Sequence, residues 1–238
     1  MSGFLSKNIN PWLEAITHIF YPRCCELCTQ PLSPNENILC WVCDKNLPRY
    51  KNLDATASPS AQRLAGLFPY KHAQAYGAFV HDGDFQTLLH LFKYKNRKDI
   101  GEYLSKDFAK MLTKTSWIKE IDLIIPVPLH LKKERKRGFN QSHIIVDALS
   151  QALQIPCEES ILKRIRHTES QTLKNRMERV ENVKGAFALS PDARLETQHI
   201  LLVDDVLTSG STIVACYEAF AQFPQLSFSV ATIAVAEV

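Results

Sequence analysis

The sequence predicts an α/β domain built on a parallel sheet and preceded by a small module held together by cysteines. Three observations carry this expectation. Two Cys-x-x-Cys pairs, Cys25/Cys28 and Cys40/Cys43, lie close together near the N-terminus. Two short apolar segments, Ile121–Ile125 and Ile200–Val203, each run into a loop, the pattern of strands buried on both faces. Around them, apolar residues recur at helical spacing.

At 238 residues the chain exceeds the usual size of one domain, and one large domain with a small appendage fits better than two equals. Hydrophobic residues make up 45% and charged residues 22%, the composition of a soluble globular protein rather than a disordered one. The net charge of +3 is too small to speak for nucleic acid on its own, so the distribution of charge decides. No apolar run approaches the roughly 18 residues of a membrane span. The stretch Met1–Phe20 is interrupted by Lys7, Asn8, Asn10, Pro11, Glu14 and His18, so neither signal peptide nor span is expected. A reducing, cytoplasmic setting follows, in which the seven cysteines are not expected to pair as disulfides.

Eleven residues separate Cys28 from Cys40, and the connection Thr29–Asn37 is polar and turn-rich. Two such knuckles close a tetrahedral structural Zn²⁺ site with no open position. Binding the ion replaces a core that so short a segment cannot build. Free buried thiols or a redox pair are the plainer readings, and the matched spacing argues against them. Cys24 adjoins Cys25, but a Cys24/Cys28 pair would enclose three residues instead of two, so Cys25 is preferred. Cys157 and Cys216 are expected as ordinary core cysteines, and no chemistry is assigned to them or to His143 and His167. Trp12, Ile16, Ile19 and Phe20 fall near one face of a helix over 11–20, expected to pack within the chain.

The polar stretch from Lys51 to Gln62 lacks periodicity and predicts an exposed linker. The expected divisions are 1–50 for the N-terminal helix and cysteine module, 51–75 for the linker and 76–238 for the α/β domain. A strand is expected at Tyr76–His81, a helix carrying Phe85, Leu88, Leu89, Leu91 and Phe92, and a second helix over Ile100–Leu112. Between the helices, Lys93, Lys95, Arg97 and Lys98 surround Tyr94. This cluster suits phosphate contact and base stacking, and equally a solvated helix end favoured by the helix dipole.

The most informative segment runs from Ile200 to Thr212: an apolar strand, Asp204 and Asp205, two apolar residues, then Thr208, Ser209, Gly210, Ser211 and Thr212, with helical periodicity continuing to Phe223. Backbone N–H groups at a helix start, with Gly210 allowing close approach and hydroxyls on both sides, cradle a monophosphate. Two acids beside that phosphate need another partner, and ribose hydroxyls or Mg²⁺ supply one. Sugar plus phosphate means a phosphoribosyl group, and neither a Walker lysine motif nor Gly-x-Gly-x-x-Gly occurs here. The segment resembles the thirteen-residue signature of type I phosphoribosyltransferases. The fold implied is a parallel sheet flanked by helices, with Mg²⁺ and phosphoribosyl diphosphate as ligands.

In that fold the strand–loop segment Ile121–His130 holds the diphosphate, with contacts expected from Val127, Pro128, Leu129 and His130 and a strained peptide between Val127 and Leu129. Lys132, Lys133, Arg135, Lys136 and Arg137 put five cations in six residues, followed by Gly138, Phe139, Asn140 and Gln141, in the place expected for the mobile catalytic loop.

Together, Pro-Val-Pro-Leu-His, Arg-Gly-Phe-Asn-Gln and Val-Asp-Asp-Val-Leu-Thr-Ser-Gly, following the Cys-x-x-Cys pairs, resemble the ComF family of competence-associated proteins, its GntX branch included. Gln171, Leu173, Arg176, Asn182, Val183, Gly185, Ala186 and Phe187 extend the resemblance, which spans nearly the whole chain. It implies a role in natural transformation, handling incoming single-stranded DNA in the cytoplasm, with a DNA-uptake helicase or membrane-channel protein as a further partner. Basic residues cluster at 93–98, 132–137, 163–166 and 174–179, which agrees with a local basic groove, and Trp41, Tyr94 and Phe139 are candidates for stacking bases. The alternative is an active phosphoribosyltransferase with a nitrogen acceptor. Thr208 stands where purine salvage enzymes of this fold carry an acid, which disfavours a purine acceptor.

Overall fold

The computed structural model describes residues 22–51, 54–166, 184–196 and 198–237. The chain divides into two compact units, Met1–Leu47 and Pro48–Val238.

Over its described residues, 22–47, the small unit has a pair of turns and one short helix, α1 (Trp41–Asn46). Its backbone is cross-braced where the cysteines sit: Cys25 N–H donates to Gln30 O (2.8 Å) and Thr29 N–H to Cys25 O (2.9 Å). Glu36 accepts the N–H groups of Ser33 (2.8 Å) and Trp41 (2.5 Å), fixing the second knuckle. Its buried apolar side chains are few, among them Leu32, Ile38, Leu39 and Leu47.

The large unit is ordered around a four-stranded sheet, β1 (Ala73–Phe79), β2 (Leu123–Pro126), β5 (His199–Leu207) and β6 (Ser227–Ala236), in the spatial order β1-β6-β5-β2. All three pairings are parallel. Parallel strands need crossovers, and helices supply them: α3 (Asp84–Tyr94), α4 (Lys98–Leu112), α6 (Gln141–Leu153) and α7 (Ser211–Glu218). A two-stranded antiparallel hairpin of β3 (Leu162–Arg164) and β4 (Phe187–Leu189) precedes β5.

Alternation along the strands feeds two cores. One face sends Ala75, Ile125, Leu202 and Val230 against Ile213, Cys216 and Phe220 and against the hairpin's Leu162 and Phe187. The other face is covered by α3, α4 and α6, whose Phe85, Phe92, Leu104, Phe108, Ile145 and Leu149 are buried. Gly101 lets α4 close on α3, since a Cβ there would meet the Phe92 ring.

Several expectations need correction. The boundary falls at residue 47 because the chain from Pro48 already runs beside β1, with Ala78 N–H donating to Pro48 O (3.1 Å) and Tyr50 N–H to Tyr76 O (2.9 Å). The later part of the polar stretch, residues 58–62, is not an exposed linker. It carries α2 (Pro59–Leu64), capped by Ser58 Oγ, which accepts the Ala61 N–H (3.1 Å), and Ala61 and Leu64 enter the core. Cys157 is only partly buried, at the end of a bridge to Ile124. The helix expected over 11–20, the basic cluster at 174–179 and the residues Gln171, Leu173, Arg176, Asn182 and Val183 lie outside the described residues. Among the described residues no helix is long and apolar enough to cross a membrane.

Candidate ligand site and metal centre

Strand β5 continues past its apolar run to Leu207, so the acid pair is part of the sheet, with Asp204 in register with Thr232. Alternation turns the two carboxylates to opposite faces. Asp205 Oδ2 lies 2.9 Å from Lys93 Nζ, from the last turn of α3, and both side chains are largely buried. Asp204 Oδ1 accepts the Ser142 hydroxyl (3.1 Å) and the Asp205 N–H (2.8 Å). Desolvation, then the like charge of Asp205, push the Asp204 carboxyl up to about 7, against the opposing pull of the Asp205 N–H, Lys93 and Ser142.

Thr208–Gly210 turn the chain from β5 into α7. Ser209 Oγ and Ser211 Oγ lie 2.9 Å apart, and Val214 N–H returns to Gly210 O (3.0 Å). The first-turn N–H groups of α7 have no helical partners, and that of Ser211 lies 3.5 Å from Ser209 Oγ. Gly210 has φ +82°, and a Cβ there would lie 2.9 Å from Leu64 and Leu67 methyls. Glycine is therefore required by the turn and by packing on α2, a reason other than the ligand approach that the sequence suggests.

Val127 N–H donates to Val203 O (2.8 Å), carrying the β2/β5 pairing into the next loop, and Asn140 Nδ2 donates to Val127 O (3.2 Å). All described peptide bonds are trans, and none of Val127, Pro128 and Leu129 has positive φ.

The basic segment that follows is not a loop. It forms helix α5 (Leu131–Arg137), whose cap His130 accepts the Lys132 N–H (3.2 Å) and which ends at left-handed Gly138. Arg137 Nη1 donates to Gln141 Oε1 (2.7 Å), and its guanidinium lies 5.2 Å over the Tyr94 ring. Lys132, Arg135 and Lys136 are exposed, whereas burial, then Arg164 and Arg137, bring the Lys133 ammonium down to about 8. Lys133, Arg137 and Arg164 thus gather positive charge from α5 and β3, and Arg164 lies over the Phe187 ring at 5.2 Å.

Two candidate nucleic-acid residues, Phe139 and Lys93, are taken up inside the fold, and a third, Arg97, is paired at the surface. Phe139 is buried, 5.5 Å from Phe92 and under the Lys98 ammonium at 5.0 Å, so it anchors the loop instead of stacking bases. Lys93 is held by Asp205. Arg97 pairs with Asp99 at 2.7 Å at the start of α4. Lys95, Tyr94 and Trp41 stay exposed, and Lys45 lies 4.7 Å from the Trp41 ring. Ser142, which ties α6 to Asp204, was not legible beforehand.

In the small unit the Sγ atoms of Cys25, Cys28, Cys40 and Cys43 all lie within 4.8 Å of one another, with Cys28 and Cys40 at 3.6 Å. A tetrahedron with Zn–S bonds of ~2.3 Å has edges near 3.8 Å, so the four cysteines lie close enough to hold such an ion. Cys24 is exposed and stands apart, its thiol against Pro22 O at 3.4 Å. Burial works to raise the Cys25 thiol, but the N–H groups of Cys28, Cys40 and Leu27 outweigh it and hold it at about 7. Burial and the neighbouring thiols push Cys43 the other way.

A parallel sheet flanked by helices, an acid pair at the carboxyl end of β5 and a hydroxyl-rich turn into α7 define a protein of the phosphoribosyltransferase fold class, joined to a four-cysteine module. No family model matches the sequence. Among curated proteins, competence protein F of Haemophilus influenzae is 33% identical over 205 residues, 82% of this chain and 89% of that protein. DNA utilization protein YhgH of Escherichia coli K12 is 30% identical over 203 residues, 81% of this chain and 88% of its own length. Competence protein ComFC of Bacillus subtilis is 26% identical over 140 residues, 59% of this chain and 55% of its own. The chain belongs to this ComF family. Among solved structures, orotate phosphoribosyltransferase from Aeropyrum pernix matches at TM-score 0.33 and 11% identity, covering 64% of this chain and 77% of that one.

Proposed function

We propose that the chain binds phosphoribosyl diphosphate with Mg²⁺ at the carboxyl end of β5 and serves natural transformation by handling incoming single-stranded DNA in the cytoplasm. The observation that carries the ligand is Asp204 and Asp205 set directly before a hydroxyl-rich helix start. The ribose hydroxyls and Mg²⁺ suit the acids. The 5′-phosphate suits the first-turn N–H groups of α7 with Ser209 and Ser211, and the diphosphate suits the Val127–His130 loop. The four cysteines hold a structural Zn²⁺. The DNA part rests on the names of the relatives, which speak of competence and DNA utilization, and on the exposed cations Lys132, Arg135, Lys136 and Lys95. A DNA-uptake helicase or membrane-channel protein is the partner this role implies.

A second reading, transfer of the phosphoribosyl group to a nitrogen acceptor, is favoured by the gathering of Lys133, Arg137 and Arg164, whose charge suits a departing diphosphate. Thermal unfolding tests the binding common to both. Phosphoribosyl diphosphate with Mg²⁺ should raise the unfolding temperature of the native chain and leave Asp204→Asn/Asp205→Asn unmoved. Equal shifts in both would refute the site.

A further inference from the structure

A cleft of about 450 Å³ opens beside the Pro128–Leu131 segment, and no residue from Asp204 to Thr212 lines it. Its walls come from α5, the first turn of α6, the chain before β3, and β3 itself. That volume lies within the range of small-molecule sites, roughly 300–1,000 Å³.

The lining has three kinds of chemistry. Leu131 and Ile165, 64% and 61% exposed, are two of the few large apolar side chains left to water among the described residues, and both line this one concavity. Single exposed apolar residues are ordinary, but two on a shared cleft mark a place that an apolar body covers. Glu134 and Glu159 add acceptors for N–H groups, and His143 Nδ1 stands 3.1 Å from Glu159 Oε2, a contact that orients the carboxylate. Lys163 and Arg164, on β3, add positive charge for an anion.

A ligand that satisfies all three has a flat apolar body, N–H donors on its edge and an anionic group. A lipid headgroup lacks the flat body, and an acidic peptide combines a ring, edge N–H donors and an anion only when an aromatic residue stands beside an acid. We infer that this cleft binds a nucleotide unit, a nucleobase carrying a phosphate, presented as a free mononucleotide or as one residue of a single DNA strand. The base lies between Leu131 and Ile165, its polar edge meets Glu134 and the Glu159–His143 pair, and its phosphate meets Lys163 and Arg164. The positive field beside the cleft agrees, since Arg164 and Arg137 both oppose the charge on Lys133. The cleft shares Pro128, Leu129 and His130 with the loop proposed for the diphosphate, shares Arg164 with the cations of the second reading, and takes no residue from 204–212. Its strand form rests on the proposed DNA role, and unchanged phosphoribosyl diphosphate binding in the Leu131 and Ile165 variants separates the two sites.

The test is calorimetric titration of the full chain at low salt with dAMP, with dTMP and with the corresponding 12-mer oligonucleotides. The titrations are repeated on Leu131→Asp and Ile165→Asp, both at exposed positions, with native unfolding midpoints checked first. Either mononucleotide, or only an oligonucleotide, should bind the native chain and lose about tenfold or more in affinity in each variant, while binding of phosphoribosyl diphosphate with Mg²⁺ is unchanged. Mononucleotide binding identifies a free nucleotide as the source, and oligonucleotide binding alone identifies a strand. Methyl NMR supplies a second readout, with the Ile165 δ-methyl resonance expected to move on saturation. No binding of any of the four probes, or native affinity in both variants with an unmoved Ile165 methyl, would overturn the assignment.

Discussion

Lys93 Nζ, in the last turn of α3, stands 2.9 Å from Asp205 Oδ2 near the end of β5. The pair joins two elements more than a hundred residues apart and leaves neither charge well solvated. Lys93→Met keeps the packing and strands the carboxylate, and should cost about 3 kcal/mol in urea unfolding. Lys93→Met/Asp205→Asn should recover most of that loss. A cost for Lys93→Met below about 0.5 kcal/mol would mean that Asp205 is solvated by other means.

Asp204 carries a distinct pH signature. Its folded pKa of about 7 lies above the ordinary Asp value of about 3.9, so between these values the folded state holds the proton more tightly. Stability from this group is complete below about pH 4 and is lost as pH rises towards 7. Asp204→Asn should therefore be more stable than the native chain at pH 8, by on the order of 2 kcal/mol, with the gap closing towards pH 5. A gap that is constant with pH would place the Asp204 carboxyl in the ordinary range.

The opposite slope comes from the other end of the sheet. Burial lowers the pKa of His72, just before β1, and of His199, the first residue of β5. For His72, Lys71 adds to the effect and Glu120 opposes it. The His72 ring stacks on Trp117 at 5.1 Å, and His199 Nε2 meets Ser229 Oγ at 2.8 Å. A depressed folded pKa means that the unfolded chain takes up protons first, so stability is present above about pH 6.5 and falls as the solution becomes acid. His72→Phe, which keeps the stack, should lose less in urea midpoint between pH 7.5 and 5.5 than the native chain does. A native-sized loss would clear His72 of the effect.

Metal analysis separates the cysteines. The native chain should carry about one zinc per molecule, Cys28→Ser should carry none, and Cys24→Ser should match the native chain. Because the small unit buries few apolar side chains, loss of the ion should unfold 22–47 while the large unit keeps its cooperative transition. Zinc retained by Cys28→Ser would remove it from the site.

Strands β2 and β5 were legible because a parallel strand covered on both faces is written as a near-continuous apolar run, and α3 and α4 because their buried residues keep a helical period. The four clustered cysteines were marked by their spacing alone. Helix α2 does not stand out in the sequence although Ser58-Pro59 is a helix start, because six residues show too little periodicity in a polar stretch. Helix α5 hid in its own charge: five cations read as a loop, while the capping His130 and terminal Gly138 give the helix away. The burial of Phe139 and the partners of Lys93 and Asp204 are tertiary facts, set by residues distant in sequence, and no local pattern announces them.

The central claim is the phosphoribosyl site, and calorimetric titration of phosphoribosyl diphosphate with Mg²⁺ tests it most directly, in the presence and absence of a single-stranded oligonucleotide. The native chain should bind about one equivalent, Asp204→Asn/Asp205→Asn should show no heat of binding, and any change caused by DNA would measure the coupling between the two ligands. Absence of binding to the native chain, or undiminished binding to the double variant, would contradict the account.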